Sequence, residues 1–444
     1  MQPNEVSCVS DVRPSIAIDI DQLCIGMFIQ LDMGWMNHPF PVSSFRIASH
    51  EQIALLRQLG ITSVRYVPEK SDTDFQSVDK QGGSALPPLL GASELPERPV
   101  QSLGVDSEEG AVNTVPPEPS TALDACHQRY GEATLRYGDL ERRVVHHPEE
   151  ARAQAEELVA EYVSELGGQG EPVIRVLSGV CGESSAYHPV NVMVISLLLG
   201  KALGLHQAAL HDLGLAALLH DIGKIMLPLP WRQSDATAWI PAQAGPYEAH
   251  VGESVALVAR MGLPDTVQIP VAQHHERVDG SGFPRHLKAG RLGLSSQILA
   301  LVNHYDRLCN PASALREKTP HEALSVIFAQ HKERFDPVVL ASFIRMMGVY
   351  PPGSIVQLVN GQFAMVVSVN PARPLRPRVL VHDPRVPREQ ATIVSLDTLP
   401  DLGILRSLRP SQLPREALDY LSPHPRICYF FERATDPGPR EANL

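Results

Sequence analysis

The sequence has few features that predict disulfide bonds, structural zinc sites or membrane-spanning segments. It contains six scattered cysteines and no CxxC pair, so neither a disulfide framework nor a structural zinc site is expected. The longest apolar run near a candidate helix, Val192–Leu199, falls far short of the ~20 residues that span a bilayer. The polar start, Met1–Ser15, has no signal-peptide core. These absences predict a soluble, cytoplasmic protein without membrane contact.

Positive charge is also in short supply. The chain has 38 Lys and Arg against 50 Asp and Glu, a net charge of −12. This balance argues against a nucleic-acid scaffold, so no DNA partner is expected. A small anionic ligand remains compatible, because one local cluster of cations is enough to bind it. With 444 residues, the chain has room for about three domains of roughly 150 residues each.

Changes of pattern divide the chain into four parts. Residues 1–70 mix strand and helix signals and predict a small α+β module. Residues 71–122, rich in Pro, Gly, Ser and acidic residues, predict a flexible linker. Residues 123–350 show helical periodicity almost throughout, and residues 351–444 contain short β runs between turn residues. We therefore expect a multidomain, mainly α protein, with a helical bundle between a small N-terminal α+β domain and a small C-terminal β subdomain.

Individual elements can be placed within these parts. Residues 213–225 are apolar nearly all round, which predicts a buried central helix. In the N-terminal module, residues 16–20 and 64–67 are typical of strands, and residues 49–59 of a helix. Further helices are predicted at 151–166, 190–203, 252–261, 295–306 and 337–347, and strands at 355–358, 364–369, 379–381 and 393–394.

The strongest chemical signal is the run LLHDIGKI, Leu218–Ile225. His220 and Asp221 would lie inside the buried helix, where an imidazole and a carboxylate are costly unless both are satisfied. A zinc, iron, manganese or nickel ion would satisfy both. Lys224 would share their helical face and can hold a phosphate as a point charge. Asp221 and Lys224 are therefore candidate catalytic residues.

The second signal is the run HHERVDGSGFP, His274–Pro284. Its two adjacent histidines supply two more candidate ligands, and its glycines let the backbone approach a ligand closely. Arg277 offers forked donors for a phosphate or a guanine edge. We expect the loop to shape a substrate pocket and to be available to a signalling protein. The candidate substrate-binding residues are Lys224, Arg277, Asp279, Gly280, Gly282, Phe283 and Pro284.

Two further histidines, His188 and His250, stand near predicted helix starts and are candidate ligands. The earlier pair His211-Asp212 is interpreted instead as part of a helix face. Five imidazoles and one carboxylate exceed the needs of one tetrahedral ion. They suit two divalent ions bridged by Asp221, an arrangement that can activate a water and stabilise the leaving oxygen of a phosphodiester. The predicted ligand set is His188, His220, Asp221, His250, His274 and His275.

These residues resemble the HD-GYP family of HD-domain phosphohydrolases. The family's HDIGK motif stands as His220–Lys224, and its HHExxDGxGYP motif as His274–Pro284, with Phe283 in place of the tyrosine. The resemblance covers residues 187–348, and residues 16–67 resemble an uncharacterised domain that often precedes the family. It implies a metal-dependent phosphodiesterase that hydrolyses cyclic di-GMP to pGpG, GMP or both, with iron or manganese expected before zinc or nickel.

The chain departs from the family's pattern at three places. Asn303 stands where the family usually has a metal-ligating Asp, and its amide oxygen can still serve as a ligand. Ser184 stands where a Glu often binds a third metal, so a dinuclear site is expected. The family's phosphate-gripping Arg-Pro-Tyr-Arg segment is replaced by Ala312–Leu315, for which Arg316 would partly compensate as a substrate-binding residue.

The departures keep two other hypotheses open. The first is a weak or inactive module that senses a cyclic dinucleotide or signals by contact with a protein. The second is catalysis on another cyclic dinucleotide or on a nucleotide phosphate. The N-terminal module and the C-terminal β region are interpreted as regulatory or oligomeric elements, compatible with a homodimer.

Overall fold

The structure, a computed structural model, divides the chain into two compact units, Met1–Asn113 and Thr114–Leu444. The predicted helix at 49–59 and the predicted linker at 71–122 lie largely outside the residues it describes, and the division into four parts stays a prediction. The described residues are 16–31, 44–47, 53, 56–57, 63–71, 120–168, 172–177, 184–229, 231–233, 245–312, 317–370, 373–391, 393–399, 401–423 and 426–433.

The first unit contains a four-stranded antiparallel sheet in the order β1-β4-β2-β3. Ile29 and Leu56, both fully buried, lie in its core together with Ile47. The strands predicted at 16–20 and 64–67 are confirmed to within one residue. The four strands are β1 (Ile16–Asp19), β2 (Phe28–Gln30), β3 (Ser44–Arg46) and β4 (Ser63–Tyr66).

Helices make up most of the described second unit, as predicted. None of the described helices has the length and apolar character needed to cross a membrane. Their bounds are α1 (Ser120–Arg143), α2 (Pro148–Leu166), α3 (Tyr187–Ala202), α4 (Gln207–Leu219), α5 (Gly245–Arg260), α6 (Asp265–Gln273), α7 (Leu294–Cys309), α8 (Pro320–Gln330), α9 (Pro337–Met347) and α10 (Arg415–Leu421).

Local signals explain where these helices begin and end. Pro337 starts α9, and the Asp336 side chain caps it by accepting from two backbone amides in the first turn. Gly348, with a φ of 73°, follows the last residue. The predicted helix at 337–347 is confirmed. Its bounds could be predicted because the capping residue and the terminating glycine directly flank it in the sequence.

The buried central helix is shorter than predicted. α4 is buried from Leu213 onward, but it ends at Leu219, and a 3-10 turn follows over Ile222–Met226. The His220 ring nitrogen Nδ1 donates to the Ala217 carbonyl at 2.8 Å. The His-Asp pair therefore lies in a turn at the end of a helix, and the prediction of a continuous helix over 213–225 is wrong.

In the described second unit, seven strands form one antiparallel sheet in the order β10-β6-β7-β5-β11, with β8 on β7 and β9 on β8. β5 interrupts the region predicted as almost entirely helical, and it pairs along its whole length with β11. The sheet therefore joins the helical region to the C-terminal one. Its strands are β5 (Pro172–Leu177), β6 (Ile355–Leu358), β7 (Phe363–Val369), β8 (Arg378–Val381), β9 (Ile393–Ser395), β10 (Ile404–Leu408) and β11 (Cys428–Arg433).

Candidate metal centre

The turn after α4 places His220 and Asp221 in the interior, where they are 0% and 7% exposed. The Gly223 amide donates to the Ser254 hydroxyl of α5 at 2.9 Å. A Cβ on Gly223 would lie 2.2 Å from the Ser254 backbone nitrogen, so only glycine lets the turn meet α5 this closely. This contact holds the His-Asp pair against the helix that carries His250.

Three histidines share one arrangement of ring nitrogens. In His220, His250 and His274, Nδ1 lies 2.8, 2.5 and 2.6 Å from the backbone carbonyl oxygen three residues earlier. Because a carbonyl oxygen can only accept, Nδ1 carries the proton in each ring and Nε2 keeps its lone pair. Each Nε2 is therefore ready to serve as a metal ligand. His250 lies inside α5 rather than at the helix start that the sequence predicted.

His188, near the start of α3 as predicted, is oriented by a carboxylate. Its Nδ1 lies 2.6 Å from Asp306 Oδ2. The other oxygen of Asp306 accepts from the side-chain amides of Asn191 and Asn310, at 2.9 and 3.0 Å. Asp306 thus holds a proton on His188 Nδ1 and leaves Nε2 with its lone pair, which is the carboxylate–histidine arrangement common behind metal ligands.

The Nε2 atoms meet in two pairs whose lone pairs face each other. His188 and His220 form one pair, and His250 and His274 form the other, each with Nε2 atoms 3.2 Å apart. With the protons on Nδ1, neither nitrogen of a pair can donate to the other. Bonds of about 2.0–2.1 Å to one tetrahedral ion place two ligand nitrogens about 3.3 Å apart. The donor set therefore fits a metal ion at each pair.

Asp221 lies between the two pairs. Its Oδ1 is 3.3 and 3.7 Å from the Nε2 atoms of His250 and His274, and its Oδ2 is 3.5 and 3.4 Å from those of His188 and His220. The structure thus brings all six residues of the predicted set together in two groups that share Asp221. One group is Asp221, His250, His274 and His275, and the other is His188, His220 and Asp221.

The family model of the HD domain matches residues 149–339. A second family model, a domain of unknown function (DUF3391), matches residues 15–164. The predicted resemblance to HD-domain phosphohydrolases, and to the uncharacterised domain that precedes them, is confirmed.

Curated relatives of this chain are named as phosphodiesterases. Cyclic di-GMP phosphodiesterase PA4108 of Pseudomonas aeruginosa is 26% identical, over 82% of this chain and 84% of its own length. Cyclic di-GMP phosphodiesterase PdeB of Borreliella burgdorferi is 21% identical, over 51% of this chain and 60% of its own length. The 3'3'-cGAMP-specific phosphodiesterase 3 of Vibrio cholerae is 25% identical, over 41% of this chain and 40% of its own length.

The environment of the candidate ligands favours neutral imidazoles. Burial lowers the pKa of His188 to about 4, with a contribution from the Arg307 charge and against the effect of Asp306. Burial also lowers the pKa of the candidate ligands on α5 and in the loop after α6. Neutral rings with free lone pairs are the form that a metal ion binds. These further ligands are His250, His274 and His275.

The carboxylate at the centre is held in its charged form. Burial opposes the ionisation of Asp221, but the charges of Lys224 and Arg307 outweigh it and hold the pKa of Asp221 well below its usual range. Lys224 Nζ lies 2.8 Å from Asp221 Oδ2, as the predicted proximity of the two residues requires.

Acid is expected to destabilise the metal-free protein. The unfolded chain protonates His188 near the ordinary pKa of 6.5, whereas the folded protein does so only near 4. Between these pH values the folded state binds fewer protons than the unfolded state. The free energy of unfolding is therefore highest above pH 6.5 and decreases as the pH is lowered towards 4, by about 3 kcal/mol for His188 alone. Urea unfolding of chelator-treated protein across this range measures the loss. His188→Gln is expected to flatten the dependence, and an unchanged slope would refute the assignment to His188.

The loop after α6 supports His275. The Phe283 ring stacks on the His275 ring with centroids 4.4 Å apart, and the Phe283 amide donates to the His275 carbonyl at 3.2 Å. Glu276 closes the loop by accepting from the amides of Arg285 and Leu287, at 2.7 and 2.9 Å. Phenylalanine in place of the family's tyrosine thus still provides a ring against this histidine.

Both glycines of the loop are required by its path. Gly280 has a φ of 82°, and a Cβ on Gly282 would lie 2.4 Å from the Arg277 nitrogen. Asp279 accepts from the Ser281 amide at 2.9 Å, and Pro284 follows in a cis peptide bond. The predicted tight turn is therefore present, and the contact of these residues with a substrate stays a prediction.

Arg277 contacts two neighbouring residues of the protein. Its guanidinium carbon lies 5.2 Å from the Phe335 ring centroid, and it donates to the Glu276 carbonyl at 2.8 Å. Burial, together with the neighbouring Arg334, lowers the pKa of Arg277 to about 10, so the side chain stays charged at neutral pH. Its substrate role stays a prediction, and Arg316 lies outside the described residues.

Asn303 is 1% exposed on α7. Its side-chain oxygen has no hydrogen-bond partner among the residues that the structure describes. A buried oxygen without a donor is costly, and a nearby cation would satisfy it. The predicted ligand role of Asn303 is compatible with this environment and is not otherwise tested.

Two residues of α7 at the site were missed by the sequence prediction. Arg307 donates from Nη2 to Asp221 Oδ2, and Asp306 orients His188. They follow Asn303 by four and three positions, which places all three on one helical face. That spacing is the signal that would have found them.

Proposed function

We propose that this chain is a metal-dependent phosphodiesterase that hydrolyses cyclic di-GMP to pGpG, GMP or both. The observation that carries the proposal is the position of Asp221 between two groups of neutral imidazoles, and the names of the relatives support the substrate. Two divalent ions, iron or manganese before zinc or nickel, would be held by His188, His220, Asp221, His250, His274 and His275, with Asn303 as a further ligand. When bound, they would activate a water and stabilise the leaving oxygen of the phosphodiester.

Neighbouring groups in the protein set the protonation state of the candidate ligands and balance the charge of Asp221. Hydrogen bonds hold the proton on Nδ1 of four histidines, so that each presents Nε2 to the centre. Lys224 lies 2.8 Å from Asp221 Oδ2 and 5.2 Å from the Tyr247 ring centroid, and it is 8% exposed. A cation this poorly hydrated interacts strongly with an anion, so we assign Lys224 to the substrate phosphate and Asp221 to the bridging position.

The remaining assignments extend this proposal to the pocket and its partners. The loop from Asp279 to Pro284 would line the pocket beside His275, with Arg277 and Arg316 available to the second phosphate or a guanine. Contact of the same loop with a signalling protein, a homodimer and a cytoplasmic location stay predictions.

Purified protein loaded anaerobically with iron or manganese is expected to hydrolyse cyclic di-GMP, and chelator-treated protein is expected to be inactive. Chromatography of the products separates pGpG from GMP, and 3'3'-cGAMP and a nucleotide monophosphate serve as parallel substrates. The His220→Ala/Asp221→Ala variant is the control. A folded, metal-loaded protein that hydrolyses none of them would favour the sensing hypothesis, and turnover of 3'3'-cGAMP alone would change the substrate.

A further inference from the structure

The two oxygens of Asp221 have different surroundings. Lys224 Nζ lies 2.8 Å from Oδ2, and Arg307 Nη2 donates to the same atom. Oδ1 has no hydrogen-bond donor among the described residues. One oxygen is therefore already paired with two cations, and the other has an open lone pair.

The two groups of candidate ligands also differ in the number of donor atoms that they offer to a metal ion. The His250 half consists of Asp221 Oδ1, His250, His274 and His275, and the Nε2 of His275 is buried without a hydrogen-bond partner. The His188 half consists of Asp221 Oδ2, His188 and His220. The His250 half thus offers three imidazoles and a free carboxylate oxygen, whereas the His188 half offers two imidazoles and an oxygen that Arg307 and Lys224 already hold.

Charge adds to this difference. A divalent ion in the His188 half would lie close to the guanidinium that contacts the same carboxylate oxygen. Repulsion between charges a few ångströms apart is strong where water is excluded, and the Arg307 side chain is only 20% exposed. One turn earlier on α7, Asn303 adds no negative charge to offset it.

We propose that Arg307 competes with the second metal ion for Asp221 Oδ2 and so makes the two halves of the centre unequal. The first ion binds in the His250 half. The second ion enters the His188 half only when Arg307 releases the carboxylate oxygen. This inference rests on the proposed function in one respect, that the centre binds divalent ions.

The test is a titration of metal-free protein with Mn²⁺, followed by calorimetry and by electron paramagnetic resonance, which distinguishes an isolated ion from a coupled pair. The native protein is expected to bind two ions with affinities at least about tenfold apart. Arg307→Met is expected to strengthen binding of the second ion by about tenfold or more and to give the coupled signal at lower Mn²⁺. Arg307→Lys, which keeps the charge, is expected to retain much of the difference.

Arg345→Met is the matched control, because Arg345 is an exposed arginine on α9, and it is expected to behave as the native protein. Arg307→Gln repeats the measurement with a polar side chain should the methionine variant fail to fold. Two equal sites in the native protein, or an unchanged second affinity in both Arg307→Met and Arg307→Gln, would overturn this inference while leaving the phosphodiesterase proposal intact. A native protein that binds neither Mn²⁺ nor, under anaerobic conditions, Fe²⁺ would overturn both.

Discussion

Asparagine in place of Asp221 is expected to lower the rate of cyclic di-GMP hydrolysis by at least about 1,000-fold and to release bound metal ions. The amide has nearly the shape of the carboxylate, so the change removes charge rather than volume. Asp221 belongs to both groups of candidate ligands, and its loss therefore weakens both at once. Turnover and metal content by mass spectrometry measure the effect, and circular dichroism verifies that the variant is folded.

Asp212→Asn is the matched control. Asp212 also follows a histidine and lies on α4 itself, but the side chains of His211 and Asp212 are both 30% exposed, with the ring nitrogen and carboxylate 4.0 Å apart. This environment agrees with the interpretation of the pair as part of a helix face. The variant is expected to keep native turnover and metal content. A large loss in Asp212→Asn, or native activity in Asp221→Asn, would place the chemistry elsewhere.

The ligand set was accessible to sequence reasoning because its chemistry is concentrated in short runs. His220-Asp221 and His274-His275 are costly to bury without a shared partner, and that cost is visible without knowing the fold. Residues that begin or end a helix or strand also predicted the bounds of two elements correctly. The strand predicted at 355–358 and the helix predicted at 337–347 have the observed bounds, since turn and cap residues flank both.

Features that depend on distant partners were not accessible in this way. β5 is a short apolar run between predicted helices, and its identity as a strand depends on pairing with β11, which lies near the other end of the unit. The position of the turn after α4 depends on its close contact with α5. Periodicity reports which face of a segment is buried, but not which neighbour covers it.

The contact of Arg307 with Asp221 likewise depends on a partner that is distant in the sequence. A single arginine in an amphipathic helix is ordinarily a solvated residue. Its spacing from Asn303 indicates a shared helical face, but it does not indicate a contact with Asp221. The contact exists because α7 crosses the end of α4 in the fold. Prediction from motifs thus gave the candidate ligands and Lys224, whereas the contact of Arg307 with Asp221 required the structure.

Alanine in place of Gly223 is expected to destabilise the protein by about 2–3 kcal/mol and to lower turnover of the surviving folded protein by about 100-fold. The added Cβ would lie 2.2 Å from the Ser254 nitrogen and 2.5 Å from the His250 carbonyl oxygen. Both atoms are backbone, so no side chain can rotate away, and the turn and α5 must separate. Separation moves His250 away from Asp221, because the two residues lie on opposite sides of that contact.

Gly252→Ala distinguishes this steric effect from a general intolerance of α5 to alanine. Gly252 lies on the same helix, two residues after His250. Apart from its own helix backbone and chain neighbours, none of the described residues has an atom within 4 Å of the position that its Cβ would take. Alanine there is expected to stabilise the helix by up to about 1 kcal/mol and to leave turnover unchanged. Urea unfolding and turnover of both variants make the comparison. Equal behaviour of the two would mean that the glycine of the HDIGK run is not needed for the approach of the turn to α5, and that the position of His250 is fixed by other contacts.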